Sequence, residues 1–105
     1  MYKHTIYVPK HDNDRSEHSY LTGMDICNEL VEHLSLYFGG CTVLSGVGYY
    51  LMETKVVMDE VWLIHVIHSS ADIKPNISNF IDKIKTDMKQ ESVLITTENV
   101  DAYFA

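Results

Sequence analysis

The stretch CTVLSGVGYYLMETKVVMDEVWLIHVI, residues Cys41 to Ile67, decides the fold. Cys41, Val43, Ser45, Val47, Tyr49 and Leu51 alternate along one side of its first half, and Val56 to Ile67 is a second run rich in β-branched and aromatic residues. The two runs are expected to pair as a hairpin across Met52 to Lys55. With the turn centred between Thr54 and Lys55, Tyr49 falls directly opposite Glu60, their Cβ atoms about 5 Å apart on one face of the sheet. A register slip of one residue would send one of the two to the other face, so this pairing depends on the turn.

Before the hairpin, residues 20–38 place Met24, Cys27, Leu30, Val31, Leu34 and Phe38 at three- and four-residue steps, the spacing of one helical face. Gly39-Gly40 stops that helix, because glycine takes the left-handed C-cap conformation at little cost. After the hairpin, Ile77, Phe80, Ile81, Ile84 and Met88 repeat the pattern behind Pro75, which suits a first helical turn.

Outermost are a first strand over residues 4–9, centred on Thr5-Ile6-Tyr7-Val8 and ended by Pro9, and a last one over residues 92–97. Lys10 to Ser19 is wholly polar and reads as a surface loop, long enough to be functional or mobile. The apolar residues of the tail, Val100 to Ala105, predict that it docks. The order βαββαβ, with right-handed crossovers, predicts a single α+β domain over residues 1–105: a ferredoxin-like antiparallel sheet with two helices on one face. The other face is left open, and packing such faces around a symmetry axis is one way to cover them.

The 105 residues suffice for one core and not for two. A formal net charge of −7, with no basic cluster to reverse it, disfavours nucleic acid and anionic membrane surfaces as partners. The longest apolar stretch, Val61 to Ile67, is interrupted by His65 and is far shorter than the roughly 20 residues of a spanning helix. No signal-like segment opens the chain, so a cytoplasmic location is expected. Cys27 and Cys41 lack metal or redox spacing and read as apolar fillers.

For chemistry, the Tyr49–Glu60 pair stands out, since a carboxylate beside a phenol can orient a cationic group or hold a water. Spacing alone also allows a solvated strand-end glutamate and a packed tyrosine. Gly46 and Gly48 weaken a strand unless a backbone or ligand approaches closely, and a β-bulge would explain them equally well. His65 and His68 fall on opposite faces of a strand, which disfavours a shared metal, and no metal site is expected.

The segments Thr5-Ile6-Tyr7-Val8, Tyr37-Phe38-Gly39-Gly40, Gly48-Tyr49-Tyr50, Glu60 before Val61-Trp62-Leu63-Ile64, and Gln90-Glu91-Ser92-Val93-Leu94-Ile95 together resemble the small phage-encoded S-adenosylmethionine lyases, formerly called SAM hydrolases. Most specific is a tyrosine eleven positions before a glutamate, matched by Tyr49 and Glu60. The resemblance implies a PII-like homotrimer binding S-adenosylmethionine between subunits, with no cofactor. It implies catalytic roles for Glu60 and Tyr49 and substrate binding at Gly48 and Tyr50. Aligning glycine with glycine selects Tyr50 in place of Tyr49. The same pattern also fits PII-like trimers that bind an adenine nucleotide and signal without catalysis. Such a sensor needs basic residues for phosphates, and this chain has eight Lys and Arg in all, none between Gly39 and Thr54.

Overall fold

The computed structural model describes residues 1–105. Its elements run β1 (Tyr2–Pro9), α1 (Ser19–Phe38), β2 (Thr42–Met52), β3 (Lys55–His68), α2 (Lys74–Asp87) and β4 (Ile95–Asn99). The strands form one antiparallel sheet in the order β2-β3-β1-β4.

Both helices lie on one face, and strand alternation fixes which side chains meet them. Ile6 and Val8 of β1 and Ile64 and Val66 of β3 are fully buried, in one cluster with Ile26, Leu30 and Leu34 of α1 and Ile77 and Ile84 of α2. Each such side chain contributes about 1.5–3 kcal/mol by leaving water. The helix ends follow the residues expected of them. Gly39, at φ 86°, donates its N–H to the Ser35 carbonyl at 3.0 Å. Ahead of α2, the Asp72 carboxylate accepts the Lys74 N–H at 2.9 Å, and Pro75 sits in the first turn. Gly23 lets α1 approach the end of β1, since a Cβ there would stand 2.9 Å from the Pro9 carbonyl oxygen.

The hairpin departs from expectation in its register. Its loop is only Glu53-Thr54, with Met52 paired to Lys55 and Glu53 at φ 56°. A positive φ at the first loop position gives the twist that tight hairpins require. The turn centre therefore lies one residue earlier than expected, and each partner moves by two: Tyr49 pairs with Met58 and Glu60 with Val47. Because the shift is even, Tyr49 and Glu60 stay on one face as diagonal neighbours, about 7–8 Å apart rather than 5 Å.

Three further expectations are corrected. β4 begins at Ile95 rather than Ser92, because Lys89 at φ 53° and the Gln90 N–H bonded to the Lys85 carbonyl turn the chain sharply after α2. The polar loop is not wholly on the surface. Asp12 and Ser19 are buried, and Asp12 is held by accepting the Ser16 N–H at 2.8 Å. Only Val100 of the tail docks, its N–H donating to the Met1 carbonyl at 2.9 Å; beyond it Tyr103 and Phe104 are exposed, β4 being an edge strand. No helix is long and apolar enough to cross a membrane.

Candidate functional site

A cleft of about 600 Å³ opens on the helix-free side of the sheet, beside the end of β1. Its floor comes mostly from alternate residues of three strands, Tyr7 and Pro9 of β1, Tyr50 and Met52 of β2, and Val57, Asp59 and Val61 of β3, with Met58 of β3 and Ile84 of α2 also reaching it. One wall is the loop Asp12 to Arg15, and the other is the segment Gln90 to Ser92 with Leu94.

The two walls are fastened to one another. Lys89 Nζ donates to Asp14 Oδ2 and to Ser16 Oγ, both at 3.0 Å, and lies 3.7 Å from Asp12 Oδ2. Asn13 Nδ2 donates to the Lys89 carbonyl at 2.6 Å, and Gln90 Nε2 to Asn13 Oδ1 at 3.1 Å. The Ser16 backbone and side-chain hydrogen bonds, with help from Lys89, hold the Asp12 carboxyl below the ordinary carboxylate range. The loop that reads as a candidate for mobility is thus pinned by residues far along the chain.

Asp59 is the half-buried carboxylate of the floor. Burial pushes its pKa up from the ordinary value, against the opposing pull of Arg15. It is paired with Gly48 across the hairpin. The Tyr50 ring folds back over that glycine so closely that a Cβ on Gly48 would stand 2.7 Å from the Tyr50 hydroxyl. Gly48 is therefore a seat for an aromatic ring, a role that a tyrosine two positions away on the same face makes readable in hindsight.

The four residues singled out from the sequence divide between two faces. Gly48 and Tyr50 face the helix-free side, and Tyr50 lines the cleft. Tyr49 and Glu60 face the helix side of the projecting hairpin. Tyr49 is 68% exposed, Glu60 is half-buried, and no hydrogen bond joins them. On the Glu60 face the next β3 residue is Trp62, with Lys10 Nζ 5.3 Å from its ring and the Tyr20 ring tilted against it at 5.6 Å. Lys10 also donates to Ser45 Oγ at 3.0 Å. Asp59, Arg15 and the wall formed by Gln90 and Glu91 were not singled out as site residues. The one available signal was that neighbours of Glu60 and Tyr49 in a strand must serve the opposite face.

His65 and His68 point to opposite faces. His65 Nδ1 shares a hydrogen bond with the Thr5 hydroxyl at 2.8 Å on the open side, and His68 packs edge-on to Phe38 beneath α1. Cys27 is buried, which pushes its thiol pKa up and leaves it unreactive.

Neither a protein-family model nor a curated protein sequence matches the chain. Solved structures do. A phage SAM lyase in complex with S-methyl-5′-thioadenosine superimposes with a TM-score of 0.60 at 17% identity, covering 92% of this chain and 79% of that one. The periplasmic divalent cation tolerance protein CutA from Archaeoglobus fulgidus gives 0.57 at 14% identity, over 99% and 88% of the two chains. The divalent cation tolerance protein CutA1 from Thermus thermophilus gives 0.56 at 17%, again over 99% and 88%. At such identities the likeness establishes the fold: this is a ferredoxin-like α+β protein of the kind shared by CutA and the phage lyase.

Proposed function

We propose that the protein is an S-adenosylmethionine lyase that works as a homotrimer, its sites completed where neighbouring subunits meet. The observation that carries this reading is the cleft itself. It joins aromatic and thioether side chains to Asp59 and Glu91, with Arg15 as the one cation in its lining and Asp12 and Asp14 already paired with Lys89. Such a lining suits a cationic sulfonium attached to a nucleoside and repels a chain of phosphates. That charge balance weighs against the rival reading, a PII-like sensor of adenine nucleotides.

In the reaction, an oxygen of the substrate's own carboxylate attacks its γ-carbon. The bond from that carbon to sulfur breaks, and the electron pair passes to sulfur. The products are neutral 5′-methylthioadenosine and homoserine lactone. Sulfur is already a leaving group and the nucleophile belongs to the same molecule, so the protein supplies a near-attack conformation and a dry pocket. Glu60, which the resemblance gives the substrate ammonium or an ordered water, takes the water where Asp59 of the cleft holds the ammonium, and Tyr49 supports it. From the helix-side face of the hairpin, both would act in the cleft of a neighbouring subunit, while Gly48 and Tyr50 serve the cleft of their own chain.

Association is supported by the hairpin, where Tyr49, Leu51, Met52 and Val56 are each more than 60% exposed on a strand pair that projects from the core. Incubation with S-adenosylmethionine should yield methylthioadenosine and homoserine lactone by chromatography, and their absence at high protein concentration refutes the lyase. Glu60→Gln should lower turnover about 100-fold or more, as loss of a preorganised charged contact does, with the trimer intact by light scattering.

A further inference from the structure

We propose that Asp59 and Arg15 form a subsite for the α-amino-acid end of a ligand, with Asp59 taking the ammonium and Arg15 the carboxylate. The proposal rests on the lyase reading for the rest of the ligand, the nucleoside, and on the cleft alone for the two charges.

Both residues line the same cleft, one in its floor and one in its wall. They feel each other's charge, yet they form no ion pair within 4.0 Å, and neither is bonded to another side chain. The other carboxylates of the cleft are differently placed. Asp12 and Asp14 are engaged by Lys89, and Glu91 is exposed at the rim. Asp59 is the carboxylate that is both half-buried and free of a cationic partner. Its partial burial resists a bare charge, and an arriving ammonium would relieve that penalty where water does so incompletely.

Arg15 sits on a loop that cannot drift freely. Its N–H is bonded to the Asp12 carbonyl at 3.0 Å, and Lys89 fastens the residues on either side. One anion and one cation that line the same cleft without pairing to each other supply the two charges that the ends of a zwitterion need. Under the lyase reading, a contact from Arg15 to one carboxylate oxygen leaves the other free to attack.

The test compares two neutral thioethers by calorimetry with the full-length protein: S-adenosyl-L-homocysteine, which has the amino-acid end, and 5′-methylthioadenosine, which lacks it. The wild type should prefer the first by about tenfold or more, the scale of one good charge-assisted contact. Asp59→Asn and Arg15→Gln, each checked for an unchanged melting curve, should each remove the preference and leave methylthioadenosine affinity within about twofold. A preference that survives both substitutions overturns the subsite, as does a wild type that shows no preference or binds neither compound. If the preference behaves as expected but S-adenosylmethionine is not cleaved, the lyase reading alone fails. If cleavage proceeds and the variants bind like wild type, the subsite alone fails.

Discussion

Gly48→Ala tests whether the glycine is there for the backbone or for the ring above it. A Cβ at this position would lie 2.7 Å from the Tyr50 hydroxyl oxygen, 3.0 Å from Cζ and 3.2 Å from Cε2. All three atoms belong to the far end of one side chain. Tyr50 is 46% exposed, so its ring is free to swing toward solvent. Alanine in a strand recovers about 0.5–1 kcal/mol of the entropic cost of glycine. Pushing the ring off its preferred rotamer costs about 0.5–1.5 kcal/mol. These terms oppose one another, and stability in urea should stay within about 1 kcal/mol of wild type. Binding should not stay constant, because the displaced ring no longer lines the cleft. An aromatic contact with a nucleic-acid base is worth about 1–3 kcal/mol, so the Kd for methylthioadenosine should rise roughly 5- to 150-fold. A loss of more than about 2 kcal/mol in stability, well above the opposing terms, would show that the backbone needs the glycine. Unchanged affinity would remove Tyr50 from the site.

Gly23 should behave in the opposite way. A Cβ there meets the Pro9 and Lys10 carbonyl oxygens at 2.9 and 3.0 Å and Met88 Cε at 3.0 Å, and the two carbonyls cannot step aside cheaply. Overpacking of about 1–3 kcal/mol or more should outweigh the roughly 1 kcal/mol gained in helix propensity, giving a lower urea midpoint for Gly23→Ala. His65 supplies a pH test. Burial, with Lys3 adding to it and Glu98 opposing, lowers its pKa from the ordinary 6.5. The unfolded chain therefore takes up a proton before the folded one does, and the stability present above pH 6.5 is lost as pH falls from there toward the lowered folded value. Melting curves of wild type and His65→Gln between about pH 8 and 5 should converge or cross on acidification, and parallel curves would contradict the assigned burial.

The two helices, the hairpin and their order were legible in the sequence because the signals are local. A 3.6-residue stripe from Met24 to Phe38 ends at a glycine that caps it, and the second stripe begins behind a proline that suits its first turn. Register was not local in the same way. It turned on Glu53 adopting a left-handed conformation in a two-residue loop, which glutamate rarely does and which no composition rule marks. The clamp from Lys89 to Asp14 joins residues 75 positions apart and has no sequence signal at all.

The Tyr49–Glu60 relation survived as a shared face, since an even shift in register keeps each side chain on its side. Which carboxylate looks into the cleft was a tertiary decision. Asp59 and Glu60 are neighbours, and a strand must send them to opposite faces. Val61-Trp62-Leu63-Ile64 is apolar throughout, so alternation does not tell which face the helices will cover. Burial of Ile64 and Val66 beneath α1 and α2 settles it, turning Glu60 to the helix side and Asp59 to the open one.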